Sequence, residues 1–210
     1  MKKIHLLLAI VLPATAAVLQ GCFPAAVSVG AGAVMSAADR RTTGAQVEDE
    51  GIELKISGRI NERYGDKVHV DVTSFNRSVL LTGEVSEPRI KADIEKIALG
   101  VQNVRGVTNE IEIAGIPSAP ARANDGYLTA KVKGRFLDAD KFNPIHVKVV
   151  TEAGVVYLLG IVTEQEAADA VEIARTTGGV RKVVKIFEYC KPTDDICRPR
   201  EKAAAKPKQQ

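Results

Sequence analysis

The chain repeats itself. "ELKISGRI" at 53–60 aligns with "TAKVKGRF" at 129–136, "VHVDV" at 68–72 with "IHVKV" at 145–149, and "VLLTGEV" at 79–85 with "VYLLGIV" at 156–162. A fourth block, "VRGVTNEIEI" at 104–113, parallels "TGGVRKVVKIFEY" at 177–189. The offset is 76 or 77 residues over the first three blocks and shortens by about four in the last. Four blocks in one order describe a single supersecondary unit used twice. Any fold proposed for one half must therefore suit the other.

Each copy reads as αββαβ. An amphipathic helix comes first, with Ile52, Ile56 and Ile60 on one face in the first copy. A strand follows in which Val68, Val70 and Val72 alternate, and a turn through "SFNRS" or "TEAGV" leads to a second strand. Asn76 and Gly154 suit such turns. A longer helix then carries Ile90, Ile94, Ile97 and Val101, with Pro88 at its start, and a last strand closes the unit. The expected class is α+β: two tandem units, each a small three-stranded mixed sheet covered by two helices. Aromatic residues are 4% of the chain and Trp is absent, so the cores must be built from Val, Ile, Leu and Ala. Gly83 and Gly160 fall inside apolar strands at matching positions, where glycine marks a bulge or a close backbone approach. A unit this small is marginal alone, which favours packing of one copy on the other or support from a disulfide.

What precedes the repeat is not part of the fold. Lys2 and Lys3 lead into "IHLLLAIVLPATAAVL", which ends in "LQGC". This resembles the signal and lipobox of bacterial lipoproteins. The resemblance implies removal of residues 1–21, lipidation of Cys22 and anchoring by acyl chains. Phe23 stands where lipoproteins retained in the inner membrane carry Asp, which by that analogy directs the chain to the outer membrane. An ordinary secretory signal with an incidental cysteine is the alternative. Residues 22–46 read as the lipidated cysteine and a flexible tether, 47–114 as the first copy, 115–123 as a linker, 124–190 as the second copy, and 191–210 as a basic, disordered tail. In an exported chain Cys190 and Cys197 are expected to pair, with two free thiols as the alternative. Two cysteines without a nearby histidine do not make a closed zinc site, and neither a metal nor a cofactor is expected.

The repeat, with "LLTGEV" and "LLGIV" on its second strand and "VRGV" and "GGVRKV" before its third, resembles the BON domain. Two copies behind a lipobox resemble the dual-BON-domain outer-membrane lipoproteins. That resemblance implies a lipid-anchored protein on the periplasmic face of the outer membrane that supports envelope integrity and gathers at division sites. It further implies that the second BON domain binds anionic phospholipid, of the phosphatidylglycerol or cardiolipin class, through its first helix. Carried over by position, that helix is "GYLTAKVKGRFL", with Tyr127, Leu128, Lys131, Lys133, Gly134, Arg135 and Leu137 as phospholipid-binding residues. Family members often carry Trp at the place of Tyr127.

The two copies supply an internal control for this assignment. Lys55 and Arg59 align with Lys131 and Arg135, so those cations do not distinguish the helices. The surroundings do. Residues 48–62 carry five acids and two bases, whereas 124–137 carry one acid and three bases, and Tyr127 replaces Gly51. A cationic helix presenting an amphipathic ring suits a membrane interface. The alternative is that Tyr127 packs against the other copy. Without the first 21 residues the chain has 27 basic and 26 acidic side chains, which argues against a nucleic-acid binder. His69 and His146 recur at matching strand positions, a pattern of structure rather than catalysis. The sequence contains no nucleophile elbow, zinc-protease helix or phosphate loop, and no enzyme is expected. The competing reading is an adaptor that holds an envelope protein, with lipidation setting only its location.

Overall fold

The computed structural model describes residues 39–197. The signal segment, Cys22, most of the tether and the basic stretch from 198 onward lie outside the described residues. Helix α1 spans Thr43–Tyr64, and it begins inside the stretch read as tether because the Thr42 hydroxyl caps it, accepting from the Ala45 N–H at 3.1 Å. Strands β1 (His69–Phe75) and β2 (Ser78–Val85) form an antiparallel hairpin. Helix α2 (Pro88–Leu99) then crosses to a third strand parallel to β2. That strand appears as β3 (Gly106–Asn109) and β4 (Glu112–Ile113), separated by two residues without a change of register.

The second copy repeats this plan. Helix α3 spans Ala119–Ala139, strands β5 and β6 span Val147–Glu152 and Val155–Val162, helix α4 spans Glu164–Arg175 and strand β7 spans Lys182–Tyr189. Helix α3 starts within the expected linker because Ser118 caps it and Pro120 falls in its first turn, where a missing N–H costs nothing. The repeat offset needs one correction. Ser78 pairs with Gly106 as Val155 pairs with Lys182, so the last strands are also related by 76 residues, with no shortening.

Both hairpins turn on two residues with positive φ, Asn76–Arg77 (50° and 68°) and Ala153–Gly154 (48° and 74°). Such turns match the twist of the flanking strands. In each copy a buried aspartate from the first helix holds the turn. Asp49 accepts from the N–H groups of Asn76 (2.8 Å) and Arg77 (2.7 Å) and from the Ser74 hydroxyl (2.7 Å), and it pairs with Arg41 at 2.9 Å. Asp125, 76 residues on, accepts from the N–H groups of Ala153 (3.1 Å) and Gly154 (2.8 Å). The sequence carries this signal as an aspartate repeated at the repeat offset. The strand glycines also correspond. A Cβ on Gly83 would lie 2.1 Å from the His69 carbonyl oxygen, and one on Gly160 would lie 2.3 Å from that of His146.

Along β2, Val79, Leu81 and Val85 face α1 and α2. Along β6, Val156, Leu158 and Val162 face α3 and α4. The alternate residues face the other way, and there the two copies meet. Phe75 and Leu80 of the first sheet share one buried cluster with Val155, Tyr157, Leu159 and Ile161 of the second. The order of layers is helices, sheet, sheet, helices. Around this core Lys148 pairs with Glu53 at 3.0 Å and the Asn76 amide donates to Glu188 at 2.8 Å. Cys190 and Cys197 form a disulfide, which brings Cys197 into the same cluster. The N-terminal segment is bound to the second copy by Arg40, whose guanidinium pairs with Glu166 at 2.6 Å and donates to the Ile161 carbonyl at 2.8 Å. Glu166 also completes a capping box with Thr163 and lies 3.2 Å from His146 Nδ1.

Removing the Asp49 carboxylate leaves the Asn76 and Arg77 N–H groups and the Ser74 hydroxyl without their acceptor, while Arg41 keeps its pairing with Asp39 at 2.8 Å. Asp49→Ala is expected to lower unfolding free energy by about 3 kcal/mol, read from urea denaturation. Burial opposes ionisation of Glu166, but hydrogen bonds from His146, Arg40 and the Thr163 N–H outweigh it and hold its carboxyl well below the usual carboxylate range. Its folded pKa is depressed, so its contribution is full above the ordinary glutamate pKa of about 4.3 and is lost as pH falls below it. Glu166→Gln is expected to cost about 2 kcal/mol at neutral pH and to flatten the decline of stability in acid.

Candidate functional site

Helix α3 is attached by the buried stripe Leu128, Val132 and Phe136, of which Val132 and Phe136 pack with β5, β6 and α4. The opposite side of the helix faces outward. There Tyr127 is 62% exposed and Leu137 67% exposed. At about 1.5 Å per residue they stand roughly 15 Å apart along the axis. Lys133 is exposed on the flank next to Leu137, and Gly134 lies between the two apolar residues. Lys131 Nζ sits 5.8 Å from the centre of the Tyr127 ring and donates to the Gly178 carbonyl at 2.9 Å. The Tyr127 ring therefore leans on a lysine of its own helix and does not fill the interface between copies, which forms on the far side of the sheet.

The seven residues expected to contact phospholipid do not share one surface. Leu128 is the correction. It is 2% exposed, in the same helical row as Val132 and Phe136, and it packs on the turn after α4. A Cβ on Gly179, whose φ is +102°, would come within 2.8 Å of the Leu128 side chain. Arg135 is half-buried and already engaged, donating to the Ile173 carbonyl at 2.8 Å and the Thr177 hydroxyl at 2.7 Å at the end of α4. Its counterpart Arg59 donates to the Gly100 carbonyl at 3.2 Å at the end of α2. The repeated arginine thus ties the first helix of each copy to the C-terminus of the second, where a cation meets the negative end of the helix dipole. This explains why the residue recurs in a helix with an acidic face and in one with a basic face.

What separates α3 from α1 is charge around an apolar display. Helix α1 also exposes large apolar residues, Leu54 (75%) and Val47 (64%). They stand among Glu48, Glu50 and Glu62. Tyr127 and Leu137 stand among Lys131 and Lys133, with Asp138 just beyond. Gly134 has open space around its Cβ position, as does Gly58 in the first copy. Packing does not require either glycine, and each leaves a smooth patch on its helix. Among the described residues no helix is long and apolar enough to cross a membrane.

A BON-domain family model matches residues 48–115 and 124–191. The chain is 38% identical over 184 residues to the outer membrane lipoprotein DolP of Haemophilus influenzae, a match covering 87% of this chain and 95% of that protein. It is 29% identical over 153 residues to the 21 kDa hemolysin of Actinobacillus pleuropneumoniae, covering 72% and 79% of the two chains. It is 30% identical over 141 residues to the osmotically-inducible protein Y of Escherichia coli, covering 65% and 70%.

The division between attachment and display can be measured. Arg135→Ala is expected to lower stability by about 1–2 kcal/mol, because it orphans the end of α4. Gly134→Ala is expected to raise it by up to about 1 kcal/mol, since alanine meets nothing there and glycine is costly inside a helix. Both are read from thermal or urea unfolding.

Proposed function

The chain belongs to the BON-domain family, and from that premise we propose that it is a periplasmic lipoprotein, anchored in the outer membrane through Cys22, that reads anionic phospholipid. The reading surface is the outward face of α3: Tyr127, Lys131, Lys133, Gly134 and Leu137. Phosphatidylglycerol or cardiolipin is the ligand class. The protein supports outer-membrane integrity at division sites and has no enzymatic role. Its similarity to a protein named as an outer membrane lipoprotein supports the location.

One observation carries the lipid reading. The two copies share a scaffold, yet only the second helix combines an exposed aromatic ring with a basic flank. Such a ring enters the headgroup layer while its cations meet phosphate. Each lysine near an anionic surface contributes about 1 kcal/mol. Arg135 acts through position: it holds α3 against α4, so that its neighbours face outward.

A second reading, an adaptor for an envelope protein, is favoured by exposed Leu54 and Val47 on the acidic α1. Binding to protein-free vesicles separates the two. The soluble chain lacking residues 1–22 is expected to bind phosphatidylglycerol vesicles, and Tyr127→Glu to weaken that binding without unfolding the domain. In an NMR titration with anionic micelles the shifts are expected within 126–137. Shifts scattered over both domains, or absent, would end the assignment, and crosslinking at α1 without vesicle binding would favour the adaptor.

A further inference from the structure

The core between the two sheets is not apolar throughout. Past Leu80, the β2 residues on that face are Thr82 and then Glu84, which is 5% exposed. The strand register sets Glu84 directly beside His69 of β1. From the second domain comes Glu152, the last residue of β5, 8% exposed. Ligand-capable atoms of His69, Glu84 and Glu152 all lie within 4.8 Å of one another, and His69 Nε2 is 3.9 Å from Glu152 Oε1. A cleft of about 330 Å³ reaches this point, lined by His69, Asp71, Arg122, Asp125 and Glu152 among others.

Among the described residues no lysine or arginine pairs with Glu84 or Glu152 within 4.0 Å. Glu84 Oε2 is fully enclosed and has no hydrogen-bond partner among the described residues. Among those residues Glu152 has no ion-pair partner within 4.0 Å other than His69. Burial, Glu84 and then Asp71 push the Glu152 carboxyl up to about 7. Burial also raises Glu84, with His69 pulling the other way. Enclosed carboxylates left unpaired are costly. The matching histidine, 77 residues on, has no such deficit. His146 lies beside Glu166, and Glu166 is neutralised by Arg40.

We propose that His69, Glu84 and Glu152 bind a first-row divalent transition cation of the zinc class, which bridges the two BON domains. One imidazole nitrogen and two carboxylate oxygens are a donor set for such an ion, and the cleft leaves a position for water. Calcium or magnesium would call for a shell of oxygens without imidazole. In a tetrahedral site with bonds near 2.0–2.1 Å the donors stand about 3.3 Å apart. His69 and Glu152 therefore need to close by about half an ångström, and no pair of donors by more than about 1.5 Å, within reach of side-chain rotation. The cation supplies the charge that Glu84 and Glu152 lack. Its binding favours the packed arrangement of the domains, because the ligands come from both. None of its three ligands belongs to α3.

The test uses the purified full-length chain, stripped of metal with a chelator and titrated with zinc chloride by calorimetry. One equivalent is expected to bind and to raise the unfolding temperature. Glu84→Gln and His69→Gln are expected to weaken binding at least about tenfold, while His146→Gln leaves it unchanged. Should the variants unfold, the wild-type protein decides: the His69 ring resonances move on addition of zinc and those of His146 do not. Failure of the wild-type protein to bind zinc, binding of equal strength in all three variants, or a His69 ring that does not respond would each overturn the proposal.

Discussion

Burial of the two central strands on both faces is the constraint on which the rest depends. All eight residues of β6 are buried, and so are seven of the eight in β2. One face of each strand is covered by its own helices. The other face has only the neighbouring sheet to cover it. A single αββαβ unit would leave Leu80 and Phe75, or Tyr157, Leu159 and Ile161, against water. The pair is therefore the folding unit in an energetic sense, although each member has its own helix-covered core.

This division of labour fixes which surfaces remain free. With the sheets back to back, the helices form the two outer layers. Each helix pair is locked by an arginine from the first helix at the end of the second. The aspartate at the start of the first helix fastens the hairpin turn. Helix α3 is thus held near both ends on one side and open on the other. Its display of Tyr127 and Leu137 sits on a rigid support, so its charge and shape can differ from those of α1 without disturbing the core.

Much of this was legible in the residues. The spacing of Ile52, Ile56 and Ile60 and the alternation of Val68, Val70 and Val72 follow from periods of 3.6 and 2, which burial enforces. The strand glycines announced a close approach because no other residue fits opposite a carbonyl oxygen at 2.1–2.3 Å. The packing of the copies was written in "VVYLLGIV", where apolar residues fill every position except one glycine; a strand with one wet face would alternate. The helix starts were harder to read, because Thr42 and Ser118 sit in small-residue stretches that look like linkers. The site was legible only in part. Spacing assigns Lys131 and Arg135 to one stripe, yet whether a long cationic side chain reaches solvent or a neighbouring carbonyl depends on where the next helix ends. The acidic cluster was illegible, since Glu84 and Glu152 belong to different domains and meet only after the sheets stack.

The disulfide gives this assembly a dependence on compartment. Cys197 is both a bridge partner and a member of the core between the sheets. Where thiols stay reduced, nothing covalent holds its segment against β7, and the layer between the domains lacks a fixed wall. Oxidation supplies that wall. The same amino-acid sequence thus specifies a looser object with its thiols reduced and a finished one with them oxidised, and the electron acceptor for the cysteines takes part in completing a hydrophobic core.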